Sequence, residues 1–258
     1  MKFKINRDHF ASGLQLVSSV VGTRKTMPIL QNVLIEAKDG YISLTTTNLD
    51  LGMKCSVKAK VDDMGSVTLP VRDLLRIVRE LADMEVSVSS ADTPKATVST
   101  RGSVFNIIGM DSKEFPPLPE LSEGKSFSLP RSELKEMLKS VSYAQSVNEE
   151  RYMLKGVFFL LEEKNLSLVA TDGRRLAVAT KGSSFSEQGE FILPSMTVSE
   201  LEKLPDLSEN LHVSYTDRQV SVKMNASNQE ETSGFVESIY LVSKVVEGKY
   251  PNFKQVIP

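Results

Sequence analysis

The chain has 258 residues, of which 40% are hydrophobic and 25% charged, and its formal net charge is −2. This composition is typical of a globular protein with enough apolar material for two cores. A near-neutral chain has no global attraction for nucleic acid, so any DNA role would need locally clustered cations. The opening residues MKFKINRDHF carry charges every few positions, so we expect no signal peptide, and no apolar run approaches the length of a membrane span.

Cysteine and histidine are too sparse for a metal centre. Cys55 is the single cysteine, which excludes an internal disulfide and a thiolate zinc site and fits a reducing cytoplasm. His9 and His212 lie far apart without ligand spacing. The sequence contains no phosphate-binding glycine loop, dinucleotide fingerprint or serine-nucleophile motif. We therefore expect neither a metal nor another cofactor.

The sequence repeats itself at a separation of 124 residues. Apolar positions return over roughly 70 positions without a gap, whereas polar positions mostly differ. This pattern is typical of two copies of one fold whose core is kept and whose surface has changed. The matched pairs are Phe3 and Phe127, Ile5 and Leu129, Phe10 and Leu134, Leu14 and Leu138, Val17 and Val141, Leu30 and Leu154, Val33 and Val157, Ile42 and Leu166, Leu44 and Leu168, Thr47 and Thr171, Leu69 and Leu193, and Pro70 and Pro194.

Each copy begins with a short strand, Lys2–Ile5 or Ser126–Leu129, and continues into an amphipathic helix. Phe10, Leu14 and Val17 recur at helical spacing in the first copy, and their counterparts repeat that spacing in the second. This spacing predicts one apolar helix face in each copy.

A second helix follows the Leu-Pro pair of each copy, because proline at the start of a helix suits its first turn. These helices are predicted over Val71–Leu81 and Met196–Leu204. Strands such as EVSVSS and VFNIIG, and later QVSVKM and IYLVSKVV, complete the copies. The pattern predicts an α+β fold in which each copy packs two helices on antiparallel sheet.

Both copies end in an extended, proline-rich stretch with an aromatic-proline pair. These stretches are EFPPLPEL (Glu114–Leu121) and KYPNFKQVIP (Lys249–Pro258), and each is typical of a linker. We therefore predict one domain over residues 1–123, a second over 124–248 and a linker over 249–258.

Cations cluster at three places in this near-neutral chain: two helix faces and one loop. A solvated surface explains any one of them. Together, and without aromatic platforms, they favour contact with phosphates and no reading of bases. The clusters are Arg72, Arg76 and Arg79 in VRDLLRIVREL; Lys135 and Lys139; and Arg24 and Lys25 in TRKT.

The segment LVATDGRRLAV, from Leu168 to Val178, interrupts an apolar pattern with four polar residues. Asp172-Gly173 between apolar strands predicts a two-residue hairpin, since glycine tolerates positive φ. Two arginines follow directly, and then apolar residues resume. The segment is either a turn only, or a surface whose donors lie beside an apolar floor and anchor a short peptide.

A resemblance enters with this segment. ATDGRRLAV, together with the opening MKF, MPIL at Met27–Leu30, EFPPLP and the closing YPNFKQVIP, resembles the bacterial DNA polymerase III beta subunits, the beta sliding clamps. It covers the entire chain; the commoner family motif is TDGHRLA, and Arg174 replaces its histidine. It implies the DNA clamp fold, in which six similar domains, three per subunit of a head-to-tail dimer, form a ring with helices lining the hole.

The resemblance implies a non-catalytic processivity factor without a cofactor, in the bacterial cytoplasm at the nucleoid. It would encircle double-stranded DNA independently of sequence and tether DNA polymerase subunits, the clamp loader and repair proteins through their short linear motifs. An apolar floor would bury Leu and Phe anchors of the partner, while polar neighbours fix its orientation. The implied groove residues are Leu154, Thr171, Gly173, Arg174, Arg175, Leu176, Pro251 and Val256.

The resemblance also implies a DNA-facing set, and it leaves one groove contact open, because Gln255 stands where some relatives carry a basic residue. Arg24 and Tyr152 match the family pattern more closely than the others. The implied DNA-facing residues are Arg24, Arg72, Arg76, Arg79, Asn148, Arg151 and Tyr152.

Assembly depends on a third domain, which the 258 residues do not include. In the family it supplies the rest of the groove and one side of the ring interface. SVFNIIG alternates and predicts an edge strand with Phe105 and Ile107 on one face, as the complementary side. The chain is then either a truncated clamp that binds partner motifs without closing a ring, or one of three two-domain chains in a six-domain ring.

Two other functions compete with the clamp. A hydrolase would use Asp172 and a neighbouring base, but the turn motif contains no histidine, cysteine or second carboxylate. A regulatory fragment would bind clamp partners through the same groove and would differ from the clamp only in assembly.

Overall fold

The computed structural model describes residues 1–22, 27–91, 94–121, 124–182, 188–226 and 235–256. By its internal contacts the chain divides into two compact units. Unit one contains Met1–Pro119 and Lys223–Leu241, and unit two contains Glu120–Val222 and Val242–Pro258. The domain bounds from the sequence, 1–123, 124–248 and 249–258, stay a prediction.

The secondary structure of the described residues is mostly β. The α-helices are α1 (Arg7–Ser18), α2 (Val71–Glu80), α3 (Arg131–Val141) and α4 (Ser195–Lys203). Short 3-10 helices cover Pro28–Gln31, Ser112–Glu114, Ser142–Ala144, Glu149–Leu154 and Phe253–Val256. The strands are β1 (Lys2–Asn6), β2 (Asn32–Lys38), β3 (Tyr41–Thr47), β4 (Leu51–Lys58), β5 (Lys60–Asp63), β6 (Gly65–Pro70), β7 (Glu85–Ser90), β8 (Lys95–Ser99), β9 (Val104–Ile108), β10 (Lys125–Pro130), β11 (Gly156–Glu162), β12 (Asn165–Thr171), β13 (Leu176–Gly182), β14 (Gly189–Pro194), β15 (Asn210–Tyr215), β16 (Gln219–Asn225) and β17 (Val236–Lys244).

The first helix of each unit buries the apolar face that its sequence predicts. In α1, the Asn6 side chain caps the helix by accepting from the first-turn N–H groups, and Phe10, Leu14 and Val17 are buried. The counterparts of these three residues are also buried in α3. The helical spacing of the sequence is therefore confirmed.

The second helices follow the Leu-Pro pairs as predicted, within one residue at each end. Helix α2 ends at Glu80, and α4 runs from Ser195 to Lys203. In α2, Leu74, Leu75 and Val78 are buried against the core of unit one. In the part of the chain that the structure describes, each unit thus combines two α-helices with antiparallel sheet, and the predicted α+β class is confirmed.

The described residues of each unit form two sheets. In unit one, a five-stranded antiparallel sheet has the order β5-β1-β7-β8-β9, and a second sheet has the order β17-β4-β3-β2-β6, in which residues 236–241 of β17 belong to the unit. In unit two, the orders are β13-β12-β11-β14 and β10-β15-β16.

The strand register confirms the repeat of 124 residues. Val33 of β2 pairs with Leu69 of β6, and Val157 of β11 pairs with Leu193 of β14. The second pair lies 124 positions after the first at both residues. Because a one-residue slip would turn every side chain to the other face, this register keeps corresponding residues on corresponding faces.

None of the helices in the described ranges combines the length and apolarity that crossing a membrane requires.

Candidate functional site

The segment after β12 forms a four-residue connection. Thr171 ends β12, Leu176 begins β13, and these two residues pair with each other. The prediction of a two-residue hairpin at Asp172-Gly173 is therefore wrong, although Gly173 does adopt a positive φ of +85°. We call the connection Asp172–Arg175 the arginine turn.

Polar side chains determine the shape of the arginine turn. Thr171 Oγ1 accepts from the Gly173 N–H at 3.0 Å and donates to the Arg175 carbonyl at 2.7 Å. Asp172 Oδ1 accepts from the N–H groups of Arg174 at 2.9 Å and Arg175 at 3.0 Å. These bonds satisfy amides that lie beyond the strand ladder, so the turn is held without the geometry of a short hairpin.

The same contacts fix the charge of the turn. Hydrogen bonds from the backbone of Arg174, and then of Arg175, lower the pKa of Asp172, and the Arg175 charge lowers that pKa further. Arg175 Nε lies 3.0 Å from Asp172 Oδ2, and its guanidinium lies 5.6 Å from the centre of the Tyr143 ring. Arg174 is exposed and its side chain has no partner among the described residues, so its guanidinium is accessible to a bound molecule.

Arg151 packs against the arginine turn from a neighbouring segment. Its Nη1 donates to the Asp172 carbonyl at 3.0 Å. A Cβ at Gly173 would overlap the Arg151 guanidinium, so the glycine also makes room for this contact. The backbone of Arg151 leaves the helical region, with φ −109° and ψ 54°, at a kink in Glu149–Leu154. A residue that the resemblance assigns to DNA thus contacts the candidate groove.

An apolar cluster lies beside the turn, and we call it the floor. Its aromatic residues are in close contact: the Phe158 ring stacks on Tyr250 at 4.8 Å and meets Phe253 edge-on at 6.3 Å. Leu176, directly after the arginine turn, is half-buried against it. The floor consists of buried Leu154, Phe158, Val169, Ile192 and Tyr250, with Leu160, Leu176, Val246 and Phe253 packed on them.

Tyr250 anchors the closing segment in the floor. Burial raises the pKa of its phenol to about 12, and the nearby Thr171 backbone lowers it to a smaller extent. Its buried hydroxyl lies close to that backbone, but it has no hydrogen-bond partner among the described residues. The residue is thus held by ring packing.

The structure brings most of the predicted groove residues together. Leu154 and Leu176 belong to the floor, and Thr171, Gly173 and both arginines form the turn. Pro251 is exposed and Val256 is 70% exposed, on the segment whose Phe253 packs on the floor. Sequence reasoning missed the aromatic residues of the floor, and the aromatic-proline pair at Tyr250 was the available signal.

The predicted DNA-facing arginines of α2 share its exposed face, opposite the buried leucines. Arg76 forms an ion pair with Asp73 at 3.0 Å, which offsets part of the charge of the face. Arg72 donates to the Val21 carbonyl at 3.4 Å, and Arg79 donates to the Gln15 side chain.

The remaining DNA-facing candidates lie on segments outside α2. Asn148 is exposed, and Tyr152 is 56% exposed at the kinked 3-10 segment, next to Arg151. Arg24 and its neighbour Lys25 lie outside the described residues.

The predicted edge strand is β9, which pairs on one side with β8 at the end of its sheet. Ile107 is buried, whereas Phe105 is 39% exposed. The more exposed apolar residues are Val104, at 66%, and Ile108, at 76%, which the sequence analysis did not single out. Alternation identified the strand, but it did not show which face the protein covers.

Ligands for a metal are not grouped within the described ranges, where no three His, Cys, Asp or Glu side chains come together. Cys55 is buried, and burial raises the pKa of its thiol to about 12, which makes it an inert core residue.

Comparison with known families identifies the family of this chain. Residues 1–119 match the N-terminal domain of the DNA polymerase III beta subunit, and residues 128–252 match its central domain. The chain belongs to the beta sliding clamp family. Its function is that of a DNA polymerase sliding clamp, as the resemblance implies.

Relatives of the sliding clamp family match along the entire chain. The beta sliding clamp of Chlamydia muridarum is 32% identical over 259 residues, covering 100% of this chain and 68% of that protein. The beta sliding clamp of Staphylococcus epidermidis is 30% identical, with coverage of 100% and 68%.

Solved sliding clamps share the fold. The Bacillus subtilis DNA polymerase sliding clamp superposes with a TM-score of 0.89 at 26% identity, covering 100% of this chain and 68% of that one. A Pseudomonas aeruginosa sliding clamp bound to griselimycin gives 0.88 at 27% identity, with the same coverage. The predicted clamp fold is confirmed.

Proposed function

We propose that the arginine turn and the floor form a groove for short linear motifs of DNA polymerase subunits, the clamp loader and repair proteins. The observation that carries this proposal is the position of Leu176. It directly follows two exposed arginines in the chain and packs on the buried floor, so one ligand could reach both. The fixed turn reduces the ordering cost of binding.

The chemistry of the groove suits a partner with apolar anchors. Leu154, Leu176 and Val256 would bury Leu and Phe side chains of the motif. Arg174, whose side chain has no partner among the described residues, would bind a carboxylate or carbonyl of the peptide. Arg175 is already held by Asp172 and Tyr143, so it would orient the ligand with little loss of entropy.

DNA contact is proposed to be weak and independent of sequence. Arg72, Arg76 and Arg79 of α2, together with Asn148, Arg151, Tyr152 and Arg24, would face the phosphates of an encircled duplex. The ion pair of Arg76 with Asp73 supports modest affinity, which suits sliding.

The clamp is proposed to be non-catalytic, in the bacterial cytoplasm at the nucleoid. The Asp172 carboxylate shapes the turn and pairs with Arg175, so it is poorly suited to act as a base. Self-association into a ring would use β9, where Val104, Phe105 and Ile108 offer apolar surface and Ile107 supports it from within.

The groove is tested by the double variant Arg175→Ala/Leu176→Ala. Fluorescence polarisation with a labelled peptide that carries Leu and Phe anchors should show at least a tenfold loss of affinity. Arg218→Ala/Met64→Ala, which removes one exposed cation and one exposed apolar side chain elsewhere, is the matched control and should bind normally. Unchanged affinity of the groove variant would rule the assignment out.

A further inference from the structure

Unit one contains a second copy of the arginine turn. Thr47 Oγ1 accepts from the Leu49 N–H at 3.0 Å and donates to the Leu51 carbonyl at 3.0 Å. Asn48 Oδ1 accepts from the N–H groups of Asp50 at 3.0 Å and Leu51 at 2.8 Å. These are the four bonds of the arginine turn, each 124 positions earlier. We call the segment Asn48–Leu51 the sister turn.

The sister turn keeps its shape without glycine. Leu49 has a φ of +75° at the position of Gly173, and its side chain is 46% exposed. A leucine rarely adopts this backbone conformation, so the side-chain hydrogen bonds of the turn hold it there. Unit one therefore has the geometry of the arginine turn even though Leu49 is strained there.

A floor accompanies the sister turn. Ile29, Leu30 and Phe115 form a buried cluster on which Leu34 and Met110 pack. Leu30 and Leu34 lie 124 positions before Leu154 and Phe158.

In each unit, a residue packed on the floor donates a backbone hydrogen bond to the strand that precedes the second helix. The Met110 amide donates to the Thr68 carbonyl at 3.4 Å and to Thr68 Oγ1 at 3.1 Å. The Val246 amide donates to the Ile192 carbonyl at 2.9 Å. Thr68 and Ile192 are again 124 positions apart. Phe115 is a buried residue of the floor in unit one, Tyr250 is a buried residue of the floor in unit two, and each is followed by proline.

One sequence difference between the units concerns the residue directly after the turn. Gly52 stands where unit two has Leu176, and a Cβ at Gly52 would overlap the Leu118 side chain. Leu118, from the proline-rich stretch, is half-buried at this point. A leucine of the linker thus occupies the place that the strand leucine has in the groove of unit two.

We propose that unit one contains a second, latent site for apolar-anchored peptides, which Leu118 of the same chain occupies. This inference rests on the proposed function of the groove in unit two. The sister turn presents Leu49 and Asp50 where the arginine turn presents Gly173 and Arg174, so the latent site lacks its cation. It selects peptides by their apolar anchors and disfavours acidic flanks.

The test opens the latent site in a chain whose proposed groove in unit two is disabled. Leu118→Ala is introduced into Arg175→Ala/Leu176→Ala and titrated with the labelled Leu-Phe peptide, once with neutral and once with acidic flanks. We expect affinity at least tenfold above that of the parent double variant, and a preference for neutral flanks. With the arginine turn intact, Leu118→Ala should raise the stoichiometry from one peptide per chain to two.

A leucine exchange tests the site independently of cavity effects. Gly52→Leu alone should lower the melting temperature, because it collides with Leu118, and Gly52→Leu/Leu118→Ala should recover it and bind the peptide. A folded Leu118→Ala or exchange variant without peptide binding beyond the parent overturns the proposal, as does failure of the exchange to restore stability.

The outcomes separate the latent site from the proposed groove. If the wild-type chain does not bind the peptide, the groove assignment fails, and a gain with Leu118→Ala still reports on unit one. If the wild-type chain binds the peptide and no variant gains a second site, the groove assignment is supported and the latent site is ruled out.

Discussion

Arg7 and Arg131 hold the same position in the two units and make the same contact. Each begins the first helix of its unit, and each donates through Nη1 to the carbonyl of the residue directly after the second helix. The distances are 2.7 Å from Arg7 to the Leu81 carbonyl and 2.9 Å from Arg131 to the Leu204 carbonyl. A cation at the carboxyl end of a helix satisfies a free carbonyl and is favoured by the helix dipole.

Arg131→Ala should destabilise the protein by about 2 kcal/mol, because it leaves a buried carbonyl without its charged donor. Arg131 also pairs with Asp206, and its side chain is 11% exposed, against 25% for Arg7. Arg7→Ala should therefore cost less. Urea denaturation checks the order, with Arg218→Ala as the surface control. Equal stability of the wild-type and Arg131→Ala chains would contradict this role.

Asp172→Asn should preserve the arginine turn, whereas Asp172→Ala should not. An asparagine can accept the same two backbone bonds, as Asn48 does in the sister turn. The alanine variant loses both bonds, so the turn should lose its fixed backbone conformation. Backbone amide shifts of Arg174 and Arg175 provide the measurement. Equal perturbation by both substitutions would show that the ion pair with Arg175, rather than the backbone bonds, holds the turn.

The turn should weaken only at acidic pH. The pKa of Asp172 is lower in the folded protein than its ordinary value of 3.8. The stabilisation of the turn by the Asp172 carboxylate is therefore complete above pH 3.8 and is lost as the pH falls through the folded pKa. Peptide affinity should therefore be independent of this group between about pH 5 and 8. A carbon-13 titration of the Asp172 carboxyl gives the pKa directly. A midpoint above 3.8 would refute the assignment.

Tyr250→Phe should stabilise unit two by about 1 kcal/mol, since it removes a buried hydroxyl that has no partner among the described residues. Phe115 already fills the equivalent place in unit one. The raised pKa of Tyr250 also predicts how the free energy of unfolding depends on pH. The stabilisation linked to this phenol is complete below pH 10.0 and is lost as the pH rises towards about 12. Thermal melts and a tyrosinate absorbance titration measure the two effects. A destabilised phenylalanine variant would indicate a hydrogen bond of the hydroxyl.

Arg72→Ala/Arg76→Ala/Arg79→Ala should lessen the dependence of duplex DNA binding on salt. The slope of log affinity against log salt falls by about 0.9 for each phosphate that the protein no longer neutralises. Because Arg76 is paired with Asp73, the fall should be smaller than three free arginines would give. The control replaces three exposed cations of unit one outside α2: Lys95, Arg101 and Lys113. If both triple variants change the slope equally, α2 does not face DNA.

Repetition made much of the fold predictable. The strand register of the two units repeats with the same offset of 124 residues as the sequence. The predicted ends of the second helices lie within one residue of the observed ends, because apolar spacing and the Leu-Pro pairs act locally. The turn length was wrong, since Thr171 and Asp172 replace ladder bonds with side-chain bonds that Asp-Gly statistics ignore. The aromatic floor escaped notice because Phe158 and Tyr250 are distant in sequence, and only folding stacks them.

Leu49 shows which residues of the turn differ between the two units and which do not. The residue that most readily identifies this turn in a sequence, glycine, differs between the two units, while the threonine and the following Asn or Asp are present in both. The persistent signature of the turn is therefore its pair of side-chain acceptors. Searches for degenerate copies of the turn in other sliding clamps should score that pair and let the glycine vary.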